Sequence, residues 1–174
     1  MSQRNSISKR PFLLTTVIVL FDQISKILIV ASIPQGRIGA SFFGDFLRII
    51  HVRNLGVAFS LGHNLPDSLR SIVFILIPLA GLILLVVFYF KTRDLSLFQR
   101  WALGGILGGG IGNLIDRILR SSGVVDFVDV KFYGIFGLSR WPTFNIADAS
   151  IVICGILFMI SLFLGVKVAD EKTV

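Results

Sequence analysis

The sequence predicts an all-α membrane protein: four transmembrane helices with a small β or amphipathic extramembrane region between helices 1 and 2. Three features of the chain point there. Its 174 residues are 54% hydrophobic and include 16 Phe, and its mean hydropathy of +0.84 is far more apolar than a soluble domain of this size requires. Charged residues make up only 16%, too few to cover a water-soluble surface. Four stretches, about Pro11–Ile33, Ser68–Phe90, Leu97–Leu119 and Thr143–Val166, match the ~20 residues a helix needs to cross the hydrocarbon. Residues 1–174 are therefore expected to form a single integral membrane domain, with outer-face loops at 34–67 and 120–142.

The first span follows Arg4, Lys9 and Arg10 and so imitates a secretory signal. However, Asp22, Gln23 and Lys26 interrupt the apolar run and no small-residue cleavage site closes it, which predicts an uncleaved helix. The loop that follows alternates apolar and polar residues around Phe46–Val52, the pattern of short strands or of an amphipathic segment at the membrane surface. The second span, SIVFILIPLAGLILLVVFYF, carries no charge, and Pro78 inside it predicts a kink that neighbouring helices tolerate. In the third span Gly104, Gly105, Gly108, Gly109, Gly110 and Gly112 allow close helix approach. VVDFVDVKFYG in the second outer loop suggests a strand or a re-entrant edge.

The net charge of +7 is no sign of nucleic acid binding. The basic residues sit at the edges of apolar runs, as lipid-headgroup anchors and orientation signals do. Their density is highest in the short segments Met1–Arg10 and Lys91–Arg100, with three each, which favours cytoplasmic N- and C-termini. The lone Cys154 has no disulfide partner and lies in an apolar stretch, where it reads as a packing residue.

Ionisable groups inside spans are expensive and are functional candidates by default. Asp22 and Lys26 are spaced i, i+4 and can pair on one helix face. Asn113, Asp116 and Arg117 share a face beside the glycines, which also fits a packing seam held by a buried Asp–Arg pair. Asn145 and Asp148 open the fourth span at i, i+3, and Asp126 precedes Asp148 by 22 residues in the connecting loop. If that loop folds back, two carboxylates meet, and at close range they share one proton. One then takes a proton from the attacking water while the other, as the acid, stabilises the oxyanion and protonates the leaving amine. Asp129 would face the opposite side of a strand from Asp126, and spacing alone does not choose between them. His51 and His63 lack a zinc-site pattern, no G-x-S-x-G occurs, and Cys154 has no activating base. Neither a metal nor another cofactor is expected.

Asp22-Gln23-Ile24-Ser25-Lys26, Asn54-Leu55-Gly56-Val57-Ala58-Phe59-Ser60, Gly112-Asn113-Leu114-Ile115-Asp116-Arg117, Val125-Asp126-Phe127 and Phe144-Asn145-Ile146-Ala147-Asp148, in this order, resemble the lipoprotein signal peptidase family, or signal peptidase II. The resemblance runs through almost the whole chain. It implies an aspartic endopeptidase in the bacterial inner membrane that cleaves diacylglyceryl-modified prolipoproteins just before the lipidated cysteine, near the outer face. It implies catalysis by Asp126 and Asp148 and so selects Asp126 over Asp129. Asp22, Lys26, Asn54, Gly56, Gly109, Asn113, Arg117, Asn145 and Ala147 match positions with which the family supports or lines its site. Expected partners are the lipid-modified precursor, membrane lipids and a peptide antibiotic inhibitor such as globomycin, bound by a monomer. Ala149 stands where Ser often follows the second aspartate, which leaves the substrate rim less defined than the carboxylate pair. The rival class is a small transporter, whose buried Asp, Lys and Arg would line an ion path at mid-membrane depth.

Overall fold

The computed structural model describes residues 7–55, 69 and 72–165. Gly56, His63 and the expected outer limits of the second and fourth spans, Ser68 and Val166, lie outside the described residues.

Helix α1, Pro11–Ser32, starts with proline at its first turn, where a missing N–H costs nothing. It stops at extended Ile33, whose conformation is set by Pro34 behind it. Strands β1, Ile38–Phe42, and β2, Leu47–Asn54, form an antiparallel pair. A π-helical turn at Ile72–Leu76 leads into α2, Ile77–Lys91. The ladder changes type next to Pro78, whose ring supplies no N–H to it. Helix α3, Leu97–Leu119, opens with a capping box in which Ser96 and Gln99 satisfy each other's backbone. Strand β3, Val124–Val130, follows, and α4, Ile146–Phe163, closes the described fold.

Among the described residues, three helical segments, Pro11–Ser32, Ile72–Lys91 and Ile146–Phe163, are long and apolar enough to cross a membrane. They are inverted relative to a soluble protein: on α1, Leu13, Leu20, Phe21, Ile24, Ile27 and Leu28 point outward, while the buried positions are Pro11, Thr15, Asp22 and Lys26. α3 is the least apolar of the long helices and the most enclosed, with buried residues from Gln99 to Asp116. The glycines make that central position possible. A Cβ on Gly109 would run into the backbone carbonyl of Ala147 on α4, and one on Gly104 would lie 2.6 Å from the carbonyl oxygen of Pro11 on α1.

The sheet differs from the expectation in one respect. Among the described residues the loop between the first two helices supplies two strands, and the three-stranded antiparallel sheet β1-β2-β3 is completed from the connection between α3 and α4. A two-stranded ribbon is marginal alone, and β3, an apolar strand between two helices, gives it a third strand and a buried face. This pairing brings Val52 opposite Asp126 and so joins the first loop to the second at the site. An arginine clasp locks the outer edge: Arg140 Nε donates to both carboxylate oxygens of Asp129 at 2.7 Å, and Arg48 pairs with Asp45.

Candidate active site

Site side chains gather where α1 and α3 end, α4 begins and the sheet packs against them. Their foundation is a dry charge cluster. Lys26 Nζ lies 2.8 Å from Asp22 Oδ2 and 3.3 Å from Asp116 Oδ2, and all three side chains are 0% exposed. Gln23 donates to Asp22, to the Gly112 carbonyl and to Asp116 at 3.0 to 3.2 Å. Each carboxylate then grips another element: Asp22 Oδ1 accepts the Ala147 N–H of α4 at 3.0 Å, and Asp116 Oδ2 accepts the Val125 N–H of β3 at 3.0 Å. Charges removed from water persist only when paired and hydrogen-bonded on every side, and these are.

From Lys26 the polarity passes outward along amides. Lys26 has only protons to give, so the oxygen of Asn113 must face it, at 3.0 Å. The Asn113 amide nitrogen is thereby turned to Asp148 Oδ1, at 2.7 Å. Asn145 is fixed in the same manner. Its Oδ1 accepts the Asp148 N–H at 2.9 Å, which points its Nδ2 at Asp126 Oδ1, at 2.7 Å. That nitrogen also reaches Asn113 Oδ1 at 3.1 Å and the Val125 carbonyl at 3.3 Å. Asp148 Oδ2 accepts the Asn145 N–H at 3.1 Å, which completes a capping box at the start of α4. On the far side, Asn54 Nδ2 donates to Asp126 Oδ2 at 3.0 Å.

Asn145 thus touches both Asp126 and Asp148. Asp126 is 2% exposed. Burial pushes its carboxyl up to about 6, against the hydrogen bonds from Asn54 and Asn145 and the charge of Lys26, and the nearby Asp148 carboxylate pushes the same way as burial. Asp148 is half-buried at a helix N-terminus, a position that favours negative charge. Asp129 turns elsewhere, into the grip of Arg140.

Asn54, Asn113, Asn145, Asp22, Lys26, Ala147 and Gly109 therefore all connect to Asp126 or Asp148 within a few contacts. Arg117 departs from the Asp–Arg seam that the sequence allowed. The arginine on Asp116 is Arg120, at 3.4 Å and one turn further on, whereas Arg117 lies over the Phe74 ring at 6.0 Å. Its Nε is buried and meets no hydrogen-bond partner among the described residues, within range of the charges of Asp148 and Asp126. Two contributors escaped the sequence reading. Gln23 was visible as a polar interruption of the first span but was given no role in the site. Gly123 has a φ of +90°, and a Cβ there would meet the Asn54 carbonyl oxygen at 2.5 Å, so glycine is what lets the α3–β3 turn press against the strand carrying Asn54.

Apolar helices around a cluster of buried carboxylates and amides, capped by a small sheet, define a helical membrane protein with a polar site at one end of its helices. The fold is that of solved membrane enzymes. Two structures, each described as a bacterial membrane enzyme solved by the in meso method, align with TM-scores of 0.76 and 0.75 at 33% and 31% identity, covering 95% and 99% of this chain and 94% and 100% of theirs. The family model for signal peptidase (SPase) II matches residues 14–164, and the chain belongs to that family. Among its relatives, the lipoprotein signal peptidase of Treponema pallidum is 52% identical over 87% of this chain and 81% of its own length. That of Borreliella burgdorferi is 48% identical over 92% and 94%.

Proposed function

We propose that this chain is an aspartic endopeptidase of a bacterial membrane that removes signal peptides from diacylglyceryl-modified prolipoproteins, cutting just before the lipidated cysteine, with Asp126 and Asp148 as its catalytic pair. Family membership supports the substrate class. The observation that carries the mechanism is that Asp126 and Asp148 are held by one asparagine, with amide and not cationic partners on both. Asp126, with its raised proton affinity, is the acid that hydrogen-bonds the developing oxyanion. Asp148, as carboxylate at the α4 N-terminus, takes the proton of the attacking water. The scissile carbonyl carbon accepts the water oxygen, and collapse of the tetrahedral intermediate delivers a proton to the leaving amine. Arg117, whose buried Nε meets no partner among the described residues, would donate to a substrate carbonyl.

On this reading α3 is the fourth transmembrane helix, its polar residues tolerated because neighbouring helices enclose them. Both termini are then cytoplasmic, the sheet lies on the outer face, and the whole chain is one integral membrane domain. A lipidated substrate reaches the site sideways from the bilayer, and globomycin would occupy the same cleft. The test is cleavage of a diacylglyceryl-modified precursor in lipid by wild type, Asp126→Asn and Asp148→Asn. Both substitutions keep the side-chain shape, and each should abolish turnover without loss of fold. Sustained turnover by either folded variant would remove the catalytic pair.

A further inference from the structure

Arg53 stands on the strand face that the proposed catalytic pair does not use. It lies opposite Val125 in the β2–β3 register, and because side chains alternate along a strand it points away from the face of Asn54 and Asp126. Its Nε and Nη1 are buried and meet no hydrogen-bond partner among the described residues. The charges acting on it are those of Arg120, which repels it, and Asp116, which attracts it. Asp116 is already engaged by Lys26, Gln23, Arg120 and the Val125 N–H. The Gly123 N–H bonds the Arg120 carbonyl at 3.0 Å and Gly123 presses on the Asn54 carbonyl beside Arg53, so the end of α3 and this strand lie together, and buried guanidinium donors left unmade are costly. An acceptor from outside the chain would satisfy these donors, and beside a second guanidinium an anion suits best.

The surroundings indicate which anion. Arg120 ends α3 at the level where helix gives way to sheet, and the preceding Ile118 and Leu119 are 57% and 75% exposed. Cationic and apolar features therefore meet at one point, as they do where a lipid headgroup joins its acyl chains. We propose that Arg53 and Arg120 form a binding site for a phosphate group. The planar fork of Arg53 matches two phosphate oxygens, and Arg120 supplies the second charge. A phospholipid would lay its acyl chains along Ile118 and Leu119, whereas free phosphate would use the guanidiniums alone. Either would relieve the Arg53–Arg120 repulsion and tie β2 to the end of α3, which braces the strand pair carrying Asn54 and Asp126. This site depends on the membrane setting of the helices and not on the hydrolytic mechanism.

Native mass spectrometry of the full chain in neutral detergent, with added phosphatidylglycerol, tests it. Wild type should retain lipid, Arg53→Gln and Arg120→Gln should each lower its affinity about tenfold, and Arg53→Lys, which keeps charge without the fork, should fall between. Inorganic phosphate distinguishes the sources. Lipid that resists displacement by phosphate identifies a headgroup site, and lipid displaced by phosphate that itself raises the melting temperature of wild type but not of Arg53→Gln identifies a free-anion site. Both results uphold the arginine pair. Equal lipid retention and equal response to phosphate in wild type and the variants would overturn it, and Arg120→Gln and Arg53→Lys decide the matter if Arg53→Gln does not fold.

Discussion

Two groups of carboxylates lie side by side in this molecule and are treated in opposite ways. Asp22 and Asp116 share Lys26 in a cluster without solvent contact, each within ion-pair distance of its ammonium group. Asp126 and Asp148 are held as firmly, but by Asn54, Asn113 and Asn145. Neutral amides position a carboxylate while favouring its charged form less strongly than a cation does. A residue meant to gain and lose a proton can be anchored by asparagine, while one meant to hold helices together can be anchored by lysine. The two groups are linked, since Asn113 takes its orientation from Lys26 and passes it to Asp148.

The sharpest way to break this contrast is to neutralise one member of each group. Asp126→Asn and Asp148→Asn should lower cleavage by at least about a thousandfold, with melting temperatures close to wild type. Lys26→Met should do the reverse first: it leaves buried Asp22 without its cation and Asp116 with Arg120 alone, and should cost about 3–5 kcal/mol of stability, read by thermal unfolding in detergent, with activity lost as a consequence. A Lys26→Met protein as stable as wild type would show that the dry cluster is not a foundation.

Packing gives the next effect. Gly109→Ala puts a methyl into the Ala147 carbonyl and should destabilise by about 1–3 kcal/mol, measured by the same unfolding assay. A subtler change separates holding from charging. Asn54→Leu removes a hydrogen bond that favours the Asp126 carboxylate, so the alkaline limb of the pH–rate profile should move to higher pH. The sign for stability follows from the same residue. Asp126 binds its proton up to about 6 when folded, against 3.8 for the free side chain, so between these values the native state holds more protons and stability falls as pH rises. Asp126→Asn should flatten that slope. The smallest effect belongs to the clasp: Arg140→Ala breaks partly exposed contacts with Asp129 and should cost about 1 kcal/mol or less.

The legible parts were those set by local pattern. α1 and α3 fall where apolar runs and glycine spacing placed them, and the Asp22–Lys26 pair follows from one helical turn. The third strand of the sheet was hidden because VVDFVDV reads equally as a strand or as an apolar edge, and only pairing with β2 resolves it. The second arginine of the α3 end was hidden for a similar reason. Arg117 and Arg120 both lie within a turn of Asp116, and tertiary packing, not spacing, gives the carboxylate to Arg120 and leaves Arg117 beside Phe74. Gly123 could not be told from any turn glycine until the Asn54 carbonyl was seen against it.

Isotope-edited infrared titration of the aspartate carboxyls tests the central claim most directly, since it reads protonation without substrate. A protonated-carboxyl band that titrates with a midpoint near 6 and vanishes in Asp126→Asn is the predicted result. A band that survives in Asp126→Asn but disappears in Asp22→Asn or Asp116→Asn would contradict it, because the lysine-bound group would then be the one that carries the proton.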